Sequence, residues 1–149
     1  MPEKEELEVR SKKRAAVIAA ALAASSILVS APTASAAIYC SSSGYTEGGF
    51  PNLRCTKLSN GVVSHGQRDT FPTVTLSTSY YKSGGSTVSV RLGYNQAGTT
   101  VYSSYFNISS GQTVTKSWTR NHKDYWCYNS VGILQQQGAS SYQTPAAHC

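Results

Sequence analysis

The groups able to move protons or attack a substrate are few beyond residue 36. They are Glu47, Asp69, Asp124, His65, His122 and His148. Glycoside cleavage needs two facing carboxylates, and three isolated acids supply no pattern that pairs them. A nucleophile with a base would need Ser64 or Ser117 beside a His–Asp couple, His65 with Asp69 or His122 with Asp124. No G-x-S-x-G elbow is present. All three histidines read as surface loop residues, too dispersed for zinc. Cys40, Cys55, Cys127 and Cys149 show no C-x-x-C spacing. The expectation is a protein without catalytic residues, bound metal or cofactor.

Contact chemistry is better represented. All ten tyrosines lie beyond residue 36, with Trp118, Trp126 and three phenylalanines, among abundant Ser, Thr and Gly. Tyr supplies rigid amphipathic contact area, and Ser and Gly supply adaptable polar contacts, which is the chemistry of a paratope. The run Trp118–Tyr128 (WTRNHKDYWCY) mixes aromatics with Arg120, Lys123 and Asp124, the residue types of interface hot spots. Trp118, Arg120, Lys123, Tyr125 and Trp126 are therefore candidate binding residues. The same run also suits a core, with Trp126 packed beside Cys127. Tyr81 joins the candidates because Tyr80 and Tyr81 must face opposite ways in a regular strand, which exposes one of them. Arg54 joins them as a basic residue within a loop that Cys40 and Cys55 can close; Lys57 is its neighbour.

The elements that must position these residues are strands. Thr73–Tyr81 puts Val74, Leu76, Thr78 and Tyr80 on one face, and Thr87–Tyr94 does the same with Val88, Val90, Leu92 and Tyr94. Turns at Lys82–Gly85, Asn95–Gly98 and Ser109–Gln112 separate these from Thr99–Ile108 and Thr113–Thr119. In Thr99–Ile108 the shared face is Tyr102, Ser104, Phe106 and Ile108. Asp124–Asn129 and Val131–Gln136 follow as strand-like segments. Consecutive short antiparallel strands with Gly at the turns predict an all-β fold, a small antiparallel β-sandwich, Ig-like or a barrel-like meander. Residues 37–70 read as a loop-rich N-terminal segment with short strands at Asn52–Leu58 and Val62–Val63, residues 71–137 as the strand core, and residues 138–149 as a tail.

Residues 1–36 read as a secretory signal peptide. Arg10, Lys12, Lys13 and Arg14 precede an apolar run from Ala15 to Ala31, and Ala34-Ser35-Ala36 is a small-x-small cleavage site. The run falls short of the roughly 20 apolar residues of a membrane span, and its alanine richness reads as bacterial. The single domain of residues 37–149 is then secreted and extracellular. Four cysteines in a small exported domain predict two disulfides. Of the three possible pairings, the local one, Cys40–Cys55 with Cys127–Cys149, is expected. Eight basic residues against three acidic ones leave +5 on this part. The basic residues are scattered, which argues against a nucleic-acid surface. The function expected is a non-catalytic binding protein, an interaction or adaptor subunit of an extracellular assembly such as an antibacterial toxin complex. Its partner would be another secreted or cell-surface macromolecule, a protein rather than a glycan. The alternatives are a free-acting antimicrobial protein and an inhibitor of an extracellular protease, with Arg54 or Lys57 at the reactive position.

Overall fold

A computed structural model describes residues 38–149; the signal-peptide reading lies outside them. Two antiparallel sheets face each other, as the alternation predicts. Strands β1 (Leu53–Leu58), β2 (Gly61–Thr70), β3 (Thr73–Lys82) and β7 (Thr113–Asn121) form one sheet in the order β1-β2-β3-β7. The other holds β5 (Thr99–Tyr102), β4 (Val88–Gln96), β8 (Ser130–Gln136) and β9 (Ser141–Gln143) in that order, with β6 (Phe106–Ile108) also paired to β4. The chain changes sheet after β3, β6 and β7, so the hairpin β4–β5/β6 is laid across the first sheet and β7 returns beside β3. The one helix among the described residues, α1 (His122–Tyr125), joins β7 to β8.

The apolar faces of β3 and β4 meet between the sheets. Val63, Tyr80, Val90, Leu92, Ile108 and Leu134 form the buried core, with Leu58, Val88, Phe106, Val114 and Trp118 packed around it. Burial along β3 alternates over its first eight residues, which is the pattern of one wet and one dry face. The expected exposure of one of the paired tyrosines fails. Tyr80 is 5% and Tyr81 9% exposed, so both are buried. Tyr81 lies at the end of β3, where its outer face is covered as well, and it offers no binding surface.

Three further segments depart from expectation. Thr99–Ile108 is not one continuous face. Tyr102 pairs with Gly93, but Phe106 pairs with Val90, so one extra residue sits in the second strand. That is a β-bulge, and a one-residue insertion moves every later side chain to the other face. Tyr102 therefore lies outside, its ring 4.0 Å from the Arg91 guanidinium carbon, while Phe106 and Ile108 turn into the core. The N-terminal segment is more regular than its composition suggests, because β2 runs ten residues and pairs along its whole length with β3. Asp124–Asn129 is not a strand. Asn121 caps α1 by accepting a hydrogen bond from the Lys123 N–H, and the helix turns the chain away from the sheet.

Both disulfides are the local pairs, Cys40–Cys55 and Cys127–Cys149. The second ties the tail to the α1 corner, where Ala147 also bridges Ser130. Cys127 sits at φ 65°, a left-handed conformation that costs a non-glycine residue about 1 kcal/mol. The chain-entropy gain of such a loop is about 3 kcal/mol. Cys127→Ser should therefore destabilise by about 2 kcal/mol net once residue 127 relaxes. Urea unfolding of the variant checks this, and an unchanged midpoint would show that the strand pairing alone holds the tail.

Candidate functional site

Aromatic and cationic side chains gather at one end of the sandwich, where the β2–β3 turn, the end of β7, α1 and the β4–β5 turn come together. Two strings of contacts run through this end. In the first, the Phe71 ring meets His122 edge-on at 5.4 Å, and His122 stacks on Trp126 at 5.4 Å with an interplanar angle of 15°. In the second, Trp118 packs against Tyr94 at 5.1 Å, and Tyr94 accepts a 2.9 Å hydrogen bond from Arg120 Nη1. The Arg120 guanidinium then lies 3.7 Å over the ring of Tyr125, whose ring is 6.5 Å from Tyr128. Cation–π contact of this closeness holds a long side chain still as well as stabilising it. Phe71 is 79% exposed and Tyr128 55% exposed, far beyond what packing alone requires of large aromatics.

The backbone beneath these rings is fixed from several directions. The His122 N–H donates to the Pro72 carbonyl at 3.1 Å, joining α1 to the β2–β3 turn. From inside the sandwich, the fully buried Gln96 donates from Nε2 to the carbonyls of Tyr125 and Tyr128 at 3.2 and 3.3 Å. The β4–β5 loop is the two residues Ala97 and Gly98, both at positive φ (51° and 75°), the geometry of a type I′ hairpin. Ala97 forms one wall of a shallow depression completed by Trp126, Cys127, Tyr128 and Asn129. A surface set this firmly loses little conformational entropy when a partner covers it.

Five of the seven residues singled out from sequence meet at this end, and their burial divides them. Trp118 belongs to the core side, packed against the buried cluster. Arg120, Tyr125 and Trp126 are half-buried, and Lys123 is exposed. The other two stand elsewhere. Tyr81 is buried. Arg54 is 9% exposed and internally committed: Nε donates to Gly44 O at 3.0 Å, Nη2 to Ser43 O at 3.0 Å and Nη1 to Ala146 O at 3.3 Å, with the guanidinium 3.9 Å over Tyr45. It ties the N-terminal segment to the tail and is not presented as the reactive residue of a protease inhibitor. Phe71, Tyr94, His122 and Tyr128 complete the aromatic end without having been marked as contact residues. Phe71, directly before Pro72 in a turn, is the one whose exposure the sequence signals.

The histidines pair differently from either expected couple. His122 Nε2 lies 3.3 Å from Asp69 Oδ1, a contact across the β2–β3 turn. His65, expected on the surface, is fully buried between the sheets. Its Nδ1 is 2.9 Å from Thr78 Oγ1 and its Nε2 is 2.9 Å from Ser130 Oγ. Thr78 Oγ1 donates to Gly93 O at 2.8 Å, so a neutral His65 donates from Nδ1 to Thr78 and accepts at Nε2 from the Ser130 hydroxyl. That leaves the longer 3.4 Å approach of Ser130 Oγ to Gln67 Oε1 without a proton. A serine, a histidine and a third hydroxyl in line resemble a catalytic relay, but Ser130, His65 and Thr78 are all without solvent exposure. The third member is also a neutral hydroxyl, which cannot stabilise an imidazolium as a carboxylate does. Burial pushes the His65 pKa down to about 4. The network therefore joins the sheets with a neutral imidazole. Gly132 makes room for it, since a Cβ there would lie 2.3 Å from that of His65.

Compared with protein-family models, curated proteins and solved structures, the chain matches none. Among the described residues no three His, Cys, Asp or Glu side chains converge on a point, and no helix is long and apolar enough to cross a membrane.

Proposed function

We propose that this is a secreted, non-catalytic binding protein, an interaction subunit of an extracellular assembly such as an antibacterial toxin complex. Its partner is a protein that covers the aromatic end. The observation that carries the reading is the exposure of Phe71 and Tyr128 on a backbone fixed by Gln96, the Pro72 carbonyl and the second disulfide. Rigid aromatics flanked by Arg120 and Lys123 are the composition of binding hot spots. Export is supported by the two disulfides and by the basic, apolar and small-residue order of the first 36 residues.

Strand addition at the β7 edge is less favoured. Lys116 and Arg120 lie on the inner side of that strand, against Phe106 and Tyr125. Inward charges on an edge strand are a device against edge-to-edge pairing.

The test is recovery of the tagged protein from its own culture supernatant, followed by size exclusion. A secreted protein should co-elute at fixed stoichiometry. Phe71→Ala and Tyr128→Ala should each weaken that complex about tenfold or more while leaving the melting temperature unchanged, since both rings are exposed. A wild-type protein that elutes alone would overturn the reading.

A further inference from the structure

A cavity of about 320 Å³ opens between the sheets at the end opposite the aromatic cluster. It lies where β1 and β3 end, β4 begins and β9 closes over β8. Its inner wall is apolar, made by Leu58, Val88, Val90 and Leu134. Its outer rim carries the exposed side chains of Lys57, Asn60 and Tyr142.

One side chain in it has no counter-charge among the described residues. Lys82 is only 2% exposed, yet its Nζ donates to a single acceptor, the Gly84 carbonyl. An ammonium has three donors, and lysine is almost never this buried unless paired. Among the described residues no Asp or Glu lines the cavity. The three acids of the domain stand away from it. Asp69 and Asp124 flank the aromatic end, and Glu47 precedes the start of β1. Lys57 adds a second positive charge at the mouth. A cavity of this size with apolar walls and a few convergent polar groups is the form of a small-molecule site, and here the missing element is an anion.

We propose that this cavity binds a small organic anion with an apolar tail, an aliphatic carboxylate. The carboxylate neutralises Lys82, with Lys57 at the rim, and the chain lies along Leu58, Val90 and Leu134. This site is independent of the aromatic end and of whatever covers that end.

Octanoate is the probe, titrated calorimetrically into the disulfide-bonded protein, with octanol and octylammonium as controls. Octanoate should bind saturably at one per chain and at least tenfold more tightly than octanol, octylammonium should not bind, and the methyl resonances of Val90 and Leu134 should shift. Lys82→Met, which keeps the apolar stem, should weaken octanoate at least tenfold and bring it to the level of octanol. The comparison of octanoate with octanol on the wild-type protein needs no variant to fold. Octanoate binding no tighter than octanol, shifts confined to other methyl groups, or undiminished octanoate binding by folded Lys82→Met would each overturn the proposal.

Discussion

Lowering the pH from 7 to 4 should remove about 3 kcal/mol of stability through one buried imidazole. Burial holds His65 at a pKa of about 4 in the folded protein, against 6.5 for an ordinary histidine. The unfolded chain therefore takes up a proton at a pH where the folded chain does not. Stability from this group is complete above pH 6.5 and drains away as the pH falls toward 4. The direction is opposite to that of a histidine held charged by a carboxylate, which would lose stability on raising the pH. His65→Gln removes the titrating group and keeps a side chain able to hydrogen-bond to Thr78 or Ser130. Urea unfolding of both proteins across pH 7.5 to 4 is the measurement. The wild type should fall more steeply by the amount given. Parallel curves would mean that His65 is charged, or solvated, in the folded state.

Leu92→Ala should cost about 2–5 kcal/mol. Leu92 is fully buried in β4, the strand to which β5, β6 and β8 all pair, and it belongs to the central cluster with Val63, Tyr80, Ile108 and Leu134. Its neighbours are held by two sheets and a bulge, so the space left by the lost side chain cannot collapse cheaply. For a domain of this size the melting temperature should drop by about 10–20 °C. Differential scanning calorimetry checks it. A variant that melts with the wild type would place the core on the other face of β4.

The two sites divide the sandwich into ends of different chemistry. The β2–β3 end presents fixed aromatics, two cations and the Asp69–His122 contact to the outside. The β1–β2 end carries lysines and an internal space. Between them, a polar layer around His65 crosses the sheets, with both ring nitrogens hydrogen-bonded, to Thr78 and to Ser130. Buried polar networks of this kind fix how two sheets sit on each other, and His65, Thr78 and Ser130 are its partnered members.

The strands of the core, their inward faces and both disulfide pairs could be read from the chain, because each rests on local periodicity or on short spacing. Val74, Leu76, Thr78 and Tyr80, and Val90, Leu92 and Tyr94, recur every second residue and are buried as that period requires. The four cysteines lie in two close pairs, and local loops close most readily. The cluster from Trp118 to Tyr128 was visible as composition. What stayed hidden depends on residues far apart in sequence. A buried His65 needs Ser130 and Thr78 from two other strands and a glycine at 132, and none of these marks its neighbour as polar core. The reversal of faces at the bulge comes from the register of β6 on β4, which leaves no trace in the alternation of Thr99–Ile108. The burial of Tyr81 and Arg54, and the meeting of Asp69 with His122 in place of His65, were decided by which segments fold over which strand ends. The sequence by itself thus determined the β-architecture and the residue types available for contact. The tertiary structure alone decided which of those residues face solvent, because exposure is set by long-range packing and periodicity reports only the nearest neighbours along the chain.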